Sequence, residues 1–279
     1  MINLNGNLIA TTDVLGADNR AFLFGDGVFE TVKISSGRIL FLEDHYFRLM
    51  SAMRIVRMEI PMDFTLEFFE SQILKVAEAQ RVQDSGRARI TVFRNPGGFY
   101  LPTDRHVSWV ITASPLENAG YTFDDSNYEV DIFKDFYVTA QLLSTIKTTN
   151  RMVNITGSIF ADENGLDNCL LLNENKNVVE ALQGNLFMLS GDQLVTPPVS
   201  EGCLNGIMRK QVLKLAREID GIVVSESIIS PFDLQKADEL FITNVIQGIR
   251  PITQYRKKAY VSDLARNLTD KLNATIAQE

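Results

Sequence analysis

Cysteine and histidine are scarce in this chain of 279 residues, which contains two of each. Cys169 and Cys203 stand far apart without a CxxC pattern, and neither an HExxH motif nor a Cys/His cluster occurs. These absences argue against a zinc enzyme and against a disulfide framework. We therefore expect no metal, and we interpret both cysteines as reduced core residues of a cytoplasmic protein.

The common nucleotide-binding and hydrolase signatures are missing as well. Neither GxxxxGK[ST] nor GxGxxG occurs, and no GxSxG marks a nucleophile elbow. Because the net charge is -8 and the pI is about 5.0, we expect neither a nucleic acid nor an anionic membrane surface as the partner. No apolar run approaches the ~18 residues of a membrane helix, and the N-terminal segment lacks the basic and apolar parts of a signal peptide.

The chain does have a large apolar fraction and mixed periodicity. Hydrophobic residues make up 45% and charged residues 22% of the sequence, which is typical of a globular protein. Strand patterns alternate with amphipathic helices, as in the hairpin pattern around Ser35–Gly37 and the later helix that Asp63 is expected to cap. The breaker-rich stretch 114–120 predicts a linker. We expect an α+β fold with a smaller domain at 1–115, a larger cofactor-binding domain at 121–279, and the active site at their boundary.

Lys147 follows an apolar and hydroxyl-rich run in the segment STIKTTN. A lysine amine can form a Schiff base with a carbonyl group when burial keeps the amine deprotonated. The ordinary alternative for a single lysine is a solvated charge at a strand end. A catalytic assignment for Lys147 therefore depends on other parts of the chain.

Glu180 follows two valines in the segment VVEALQGNLF. A carboxylate in an apolar strand is costly to bury unless it has a cationic partner. A protonated pyridine nitrogen would be such a partner. On an edge strand, the same side chain would simply face water.

Several other residues suit a phosphate group. Gly206 precedes the amphipathic helix of GIMRKQVL, which puts the N–H groups of Ile207 and Met208 at a helix N-terminus. Thr243 lies at the end of the strand ELFITN and carries a hydroxyl group. Arg48 lies on the helix after FLEDH and could form a charge-assisted pair. Each of these signals is common by itself.

The order of the motifs is more specific than any one of them. From about Asn5 to Thr253 the chain contains, in order, GDGVFETVKI, HYFRL, STIKTTN, VVEALQGNLF, LNGIMR and ADELFITN. Together these motifs resemble the class IV aminotransferases, pyridoxal-phosphate enzymes that include branched-chain and D-amino acid transaminases and aminodeoxychorismate lyases. The resemblance implies the two-domain fold of the D-amino acid aminotransferases, a pyridoxal 5′-phosphate cofactor, a small amine or carboxylate substrate and a homodimer.

The resemblance also implies roles for individual residues. Lys147 matches the lysine that binds the cofactor covalently and moves protons, and Glu180 matches the carboxylate that faces the pyridine nitrogen. The positions that match the phosphate ligands are Arg48, Ile207, Met208 and Thr243, with Ile207 and Met208 acting through their N–H groups. Asn150 and Asn185 fall in the same motifs and are expected to support these ligands.

Two tyrosines of the relatives are replaced here. Met152 stands five residues after Lys147, where branched-chain transaminases usually have a tyrosine for the cofactor's phenolic oxygen. Phe29 replaces the tyrosine in the GVYE motif of the D-amino acid transaminases. Tyr100 and Thr31 are candidates for that contact or for the substrate.

Two segments resemble the lyase branch of the family. FRNPGGFYLP, residues 93–102, is similar to an Arg-rich Gly-Gly loop of those enzymes, and ITNVIQGIRPIT is similar to their TNS…G…PV ending. The Gly-rich loop that transaminases usually carry next is absent. A dicarboxylate substrate needs a cationic rim, which Arg94 or Arg89 could supply, but an arginine there could equally pair with a structural carboxylate.

The leading expectation is therefore a 4-amino-4-deoxychorismate lyase that releases pyruvate and 4-aminobenzoate for folate synthesis. The alternative is a transaminase that moves an amino group from a branched-chain or D-amino acid to 2-oxoglutarate. Two other classes are a cofactor-free aldolase that uses Lys147 and a binding module without catalysis. Neither of these explains Glu180 or the phosphate-binding positions.

Overall fold

The computed structural model describes residues 1–11, 13 and 15–278, and these residues form sixteen strands and seven α-helices. The first strands are β1 (Ile2–Leu4), β2 (Asn7–Ile9), β3 (Gly27–Ser35), β4 (Arg38–Ile39), β5 (Ser85–Arg94) and β6 (Val107–Pro115), with helices α1 (Arg20–Phe24), α2 (Leu42–Ile55) and α3 (Leu66–Ala79). The later strands are β7 (Glu129–Val138), β8 (Asn168–Asn173), β9 (Val178–Ala181), β10 (Asn185–Ser190), β11 (Gln193–Thr196), β12 (Val223–Glu226), β13 (Glu239–Asn244), β14 (Gly248–Ile252), β15 (Gln254–Tyr255) and β16 (Lys258–Ala259). The later helices are α4 (Met152–Glu163), α5 (Ile207–Ala216), α6 (Pro231–Leu234) and α7 (Asp263–Ile276).

The chain divides into two compact units. The first unit contains Met1–Gly120 together with Ile146–Asn150, and the second contains Tyr121–Thr145 and the chain from Arg151 onwards. The segment around Lys147 thus groups with the first unit, although it follows the predicted linker in the sequence. The sequence-based limits at 1–115, 114–120 and 121–279 stay a prediction of where independently folding domains begin and end.

The first unit is built on a six-stranded sheet in the order β2-β1-β6-β5-β3-β4, in which the neighbouring strands are antiparallel. One face is apolar, because Val28 and Val32 on β3 and Ile90 on β5 are buried in one core with residues of α2 and α3. Side chains alternate between the faces of a strand. The intervening residues, such as Phe29 and Thr31, therefore lie on the opposite face.

Local signals in the first unit are partly confirmed. Strands β3 and β4 form the expected hairpin, and Ser36 and Gly37 turn the chain with positive φ. The expectation that Asp63 caps α3 is wrong, because the hydroxyl oxygen of Thr65 accepts from the N–H of Phe68. A capping side chain must directly precede the first helical residue to reach that donor, and Asp63 is too early.

The second unit contains two five-stranded sheets, in the orders β12-β11-β10-β13-β14 and β16-β15-β7-β8-β9. Both sheets mix parallel and antiparallel pairs, with β11–β12 and β7–β8 among the parallel ones. Leu170, Leu186 and Leu240 belong to the apolar core of this unit. The expected α+β class is confirmed. None of the helices in the described part of the chain is long and apolar enough to cross a membrane.

Candidate active site

Lys147 lies in a short extended segment that pairs with the start of β3. The N–H of Phe29 donates to the carbonyl oxygen of Lys147 at 2.8 Å. Just after the lysine, the Thr149 hydroxyl and the Asn150 amide donate to the carbonyl oxygen of Gly25 at 2.8 Å and 3.2 Å. The Thr-Thr-Asn step therefore fixes the backbone next to Lys147.

The ring of Phe29 brings two cationic groups together. The Nζ atom of Lys147 lies 4.9 Å from the ring centroid, and the guanidinium carbon of Arg89 lies 3.7 Å from it. Arg89 is directly opposite Thr31 in the β3–β5 pair, so both residues share the face of the sheet that carries Phe29. Because an aromatic ring attracts cations, Phe29 orients Arg89 and Lys147 at one place.

Glu30, His45 and Arg48 form a buried cluster on the other face of β3. The Nε and Nη2 atoms of Arg48 donate to the two carboxylate oxygens of Glu30 at 2.7 Å each. The Nδ1 atom of His45 lies 2.9 Å from Oε2 of Glu30. Since a carboxylate only accepts hydrogen bonds, this arrangement puts the proton of a neutral His45 on Nδ1. It also fixes the plane of the Arg48 guanidinium.

The protonation states of this cluster follow from its burial and pairing. Burial acts to raise the pKa of Glu30, but the charge of Arg48 and the hydrogen bonds from His45 and Arg48 outweigh it and lower the pKa to about 2. Burial lowers the pKa of His45, and the contacts with Glu30 oppose that change only in part. Glu30 is therefore ionised and His45 neutral at physiological pH.

The role of Glu30 in holding Arg48 was not predicted from the sequence. The signal was present, because Glu30 is a carboxylate inside the apolar strand GVFETV, just as Glu180 follows two valines. The cost of burying such a group calls for a cationic partner. Arg48 is that partner in the structure, and its assignment as a phosphate ligand stays a prediction.

Arg94 is held by a structural carboxylate. Its Nε and Nη2 atoms donate to Asp26 at 3.0 Å and 2.9 Å, and Nη1 and Nη2 donate to the carbonyl oxygens of Arg57 and Val56. Arg20 pairs with the same Asp26 at 2.8 Å. The structure thus shows the pairing with a structural carboxylate that the sequence left open as the alternative, and the contact of Arg94 with a substrate carboxylate stays a prediction.

Three further residues were named where this chain differs from its relatives, and they are distributed over both units: Tyr100, Met152 and Thr31. Tyr100 is 92% exposed at the β5–β6 loop, and its ring packs against Phe24 at 5.9 Å between centroids. Met152 is 69% exposed as the first residue of α4. Thr31 is buried next to Arg89. Of the two candidate contacts, only Thr31 shares the sheet face that carries Phe29.

Glu180 is buried in β9 of the second unit, where it is 6% exposed. Its Oε2 atom accepts from the N–H of Leu204 at 2.8 Å. The carbonyl oxygen of Leu204 accepts from Nδ2 of Asn185 at 2.8 Å. A water-facing Glu180 is thereby excluded, and the two side chains hold the backbone that leads into α5.

The other positions that are expected to bind phosphate lie close to Asn185. Thr243 is directly opposite Asn185 in the β10–β13 pair, and its buried Oγ1 atom has no hydrogen-bond partner among the residues that the structure describes. Gly206 is the N-cap of α5, and a Cβ atom there would overlap with Oδ1 of Asn185. The N–H groups of Ile207 and Met208 begin the helix, where intrahelical acceptors are lacking.

These residues fit pyridoxal 5′-phosphate by their chemistry. A helix N-terminus that opens with glycine, beside a buried hydroxyl without a partner, suits a phosphate group. A buried carboxylate suits the proton of a pyridine nitrogen, and a lysine amine suits the aldehyde. In the second unit, the residues that would supply the carboxylate and the phosphate contacts are Glu180, Ile207, Met208 and Thr243. In the first unit, Lys147 would supply the amine.

Comparison with known proteins identifies the family. The model of the amino-transferase class IV family matches residues 27–255. A putative branched-chain-amino-acid aminotransferase of Methanocaldococcus jannaschii is 28% identical over 97% of this chain and 93% of its own, and a D-alanine aminotransferase of Listeria innocua is 27% identical over 88% and 82%. The crystal structure of 4-amino-4-deoxychorismate lyase from Pseudomonas aeruginosa has a TM-score of 0.83, with 24% identity and 98% of each chain covered. The chain therefore belongs to the class IV aminotransferases, enzymes that depend on pyridoxal 5′-phosphate, and it has their two-domain fold.

Proposed function

We propose that the protein is an amino acid aminotransferase, which moves an amino group from an α-amino acid to a 2-oxo acid. The observation that carries this proposal is the position of Arg89. Its guanidinium group and the amine of Lys147 lie 3.7 Å and 4.9 Å from the centre of the same ring, that of Phe29. In an α-amino acid the carboxylate is one bond from the reacting carbon, so a cation beside the catalytic lysine suits this class of substrate.

The lyase expectation rested on the Gly-Gly loop that contains Arg94, on the ITNVIQGIRPIT ending, and on a cationic rim that Arg94 or Arg89 could supply. In the structure, Arg94 donates to Asp26 and to two backbone carbonyl oxygens. The arginine that remains beside Lys147 is Arg89, which binds one carboxylate close to the reacting amine. Aminotransferases are also among the relatives with the higher identities, at 28% and 27%.

The residues of this chain would have separate roles in the reaction. Pyridoxal 5′-phosphate, when bound, supplies a ring that withdraws electrons and stabilises negative charge at the substrate α carbon. Glu180 would hold the proton of the ring nitrogen, and the N–H groups at the start of α5 would bind the phosphate together with Thr243. Arg89 would hold the substrate carboxylate, so that Nζ of Lys147 can take the α proton and return it to a neighbouring carbon.

The experiment is a substrate panel on the purified holoenzyme. Branched-chain L-amino acids, D-alanine and glutamate are each supplied with 2-oxoglutarate or pyruvate, and the amino acid products are quantified. In parallel, 4-amino-4-deoxychorismate is supplied without a keto acid, and pyruvate and 4-aminobenzoate are followed. We expect amino transfer. Multiple turnovers of pyruvate release without any transfer would contradict the proposal and support the lyase.

Arg89→Gln and Arg94→Gln form a matched pair for the same question. Loss of Arg89 should lower kcat/KM for the amino donor about 10- to 100-fold, because a charge-assisted contact to the carboxylate is lost. Loss of Arg94 should instead lower the melting temperature, because Asp26 would be left without one of its two arginine partners. The reverse pattern would indicate that Arg94, and not Arg89, binds the substrate carboxylate.

The homodimer implied by the family resemblance is part of this proposal. Phe99, Tyr100 and Leu101 are 84%, 92% and 78% exposed, and a second copy of the chain would cover such an apolar loop. Sedimentation velocity at micromolar concentration should show a dimer. A fully active monomer would contradict it.

A further inference from the structure

The turn between β13 and β14 directly follows the strand end that carries Thr243. The pairing of the two strands ends at Asn244 and Gly248, and residues 245–247 form the turn. Thr243 is therefore one residue away from the point where the strand pairing stops. Because the ends of paired strands open more easily than their centres, the position of Thr243 depends on what holds the turn.

Tyr121, the first residue of the second unit, holds this turn. Its hydroxyl group donates to the carbonyl oxygen of Val245 at 2.8 Å. Its ring lies against Gly248, which has a φ of +78°, and a Cβ atom at Gly248 would come within 2.7 Å of the ring atom Cδ1. Burial raises the pKa of the Tyr121 hydroxyl, so this group stays protonated and remains a donor.

Asn273 on α7 fixes Tyr121 in turn. The Oδ1 atom of Asn273 accepts from the N–H of Tyr121 at 3.0 Å, and Nδ2 donates to the carbonyl oxygen of Tyr121 at 2.7 Å. Tyr121 is 4% exposed, and hydrogen bonds thus hold both its backbone and its side chain. Hydrogen bonds therefore connect α7 through Tyr121 to the turn that follows β13.

The hydroxyl group of Thr243 needs a ligand. Thr243 is 2% exposed, and its Oγ1 atom has no hydrogen-bond partner in the described part of the chain. A buried hydroxyl without a partner is costly, and a phosphate oxygen would accept its hydrogen. The strength of that bond depends on distance and angle. A shift of the turn would therefore weaken the bond without changing any phosphate ligand.

We propose that Tyr121 is a positioning residue for the phosphate group of the cofactor, and that it acts through the turn 245–247 and Thr243. The hydrogen of its hydroxyl group is donated to Val245, so Tyr121 acts by holding the backbone. This assignment rests on the proposed function, which gives Thr243 a phosphate contact.

The test measures how much the phosphate group contributes to binding. Pyridoxal has the same ring and aldehyde group as pyridoxal 5′-phosphate and lacks the phosphate. The dissociation constants of both compounds are measured by fluorescence titration of the apoprotein, for the wild type, Tyr121→Phe and Tyr260→Phe. Tyr260 is the matched control, because its hydroxyl also donates to a backbone carbonyl oxygen of the second unit, that of Leu234, at 2.7 Å.

We expect the ratio of the dissociation constants, pyridoxal over pyridoxal 5′-phosphate, to fall about 3- to 10-fold in Tyr121→Phe. It should stay within about twofold in Tyr260→Phe. A general loss of structure would weaken the binding of both compounds and leave the ratio unchanged. An unchanged ratio in Tyr121→Phe would therefore overturn the proposal, as would an equal fall in Tyr260→Phe.

A second variant keeps the test decisive if Tyr121→Phe does not fold. Asn273→Ser releases the backbone of Tyr121 and leaves its hydroxyl group in place. The ratio should fall in this variant too, by a smaller factor than in Tyr121→Phe. If only Asn273→Ser folds, an unchanged ratio in that variant would overturn the proposal.

A double-mutant cycle tests whether Tyr121 acts through Thr243. Thr243→Val should lower the ratio about 10-fold, because a hydrogen bond to a charged group is lost. Adding Tyr121→Phe should then lower it little further, since the hydroxyl that Tyr121 positions is gone. Fully additive losses, or no loss in Thr243→Val, would overturn the proposal. These titrations contain no amino donor, so their outcome is independent of whether the enzyme transfers amino groups.

Discussion

In the first unit, charged side chains hold one another in place: Arg48 is fixed by Glu30 and His45, while Arg89 and Lys147 share the ring of Phe29. In the second unit, a single carboxylate and an asparagine hold the backbone at Leu204. The difference matters because paired charges respond to pH and to each substitution, whereas backbone donors respond mainly to shape. We therefore expect the first unit to be sensitive mainly to changes in charge and pH, and the second unit mainly to changes in shape.

The largest effect is expected at Lys147. Lys147→Ala should lower kcat by about 10²- to 10⁴-fold or more, because the group that moves the α proton is lost. Borohydride reduction of the wild-type holoenzyme, followed by peptide mapping, should place the cofactor on Lys147. Lys134→Ala, an exposed lysine on β7, is the control and should keep full activity.

A cofactor adduct on Lys33 is the result that would contradict the assignment of Lys147. Lys33 is a buried lysine of the first unit, and burial lowers the pKa of its side chain. An adduct that maps to Lys33 would show that the assignment of Lys147 is wrong.

Glu180→Gln should have the next largest effect. The substitution keeps the size of the side chain and removes the charge that would stabilise a protonated ring nitrogen. The loss of a charge-assisted pair corresponds to about 1.5–3 kcal/mol in transition-state stabilisation, or about 10- to 150-fold in kcat. The affinity for the cofactor should be largely retained, because the phosphate contacts remain. An unchanged kcat would contradict the role of Glu180.

Gly206→Ala tests whether shape governs the second unit. The added Cβ atom would overlap with Oδ1 of Asn185, so the start of α5 must shift. We expect cofactor affinity to fall about 10-fold, measured by fluorescence titration of the apoprotein. The double variant Gly206→Ala with Asn185→Ala relieves the overlap and should recover part of that affinity. No recovery would show that the overlap is not the cause.

The smallest effect is the pH dependence of stability that comes from the first unit. Burial lowers the pKa of His45 in the folded protein, so protons bind more strongly to the unfolded chain. The free energy of unfolding should therefore fall as the pH drops below about 6.5. Glu30 adds a second fall between pH ~4.5 and its folded pKa of about 2.

Urea unfolding between pH 7.5 and 5, at a constant cofactor concentration, measures the first of these falls. His45→Gln removes the titrating group and should make the dependence on pH smaller in that range. An identical dependence in the variant would show that His45 does not contribute.

Much of the fold could be predicted because it depends on local signals. The β3–β4 hairpin follows from a Ser-Ser-Gly turn between apolar runs. The grouping of residues 146–150 with the first unit could not be predicted in this way. It depends on backbone pairing with β3, more than 100 residues earlier in the chain.

The sequence by itself determined the family, the candidate lysine and the candidate carboxylate, because the order of short motifs carries that information. Only the tertiary structure decided which contacts each arginine makes. Arg94 and Arg89 are five residues apart on one strand, yet Arg94 pairs with Asp26 and Arg89 lies over Phe29. The physical reason is that an ion pair or a ring contact joins residues that are distant in the chain. Strand register and side-chain alternation, which set those contacts, exist only once the sheet has formed.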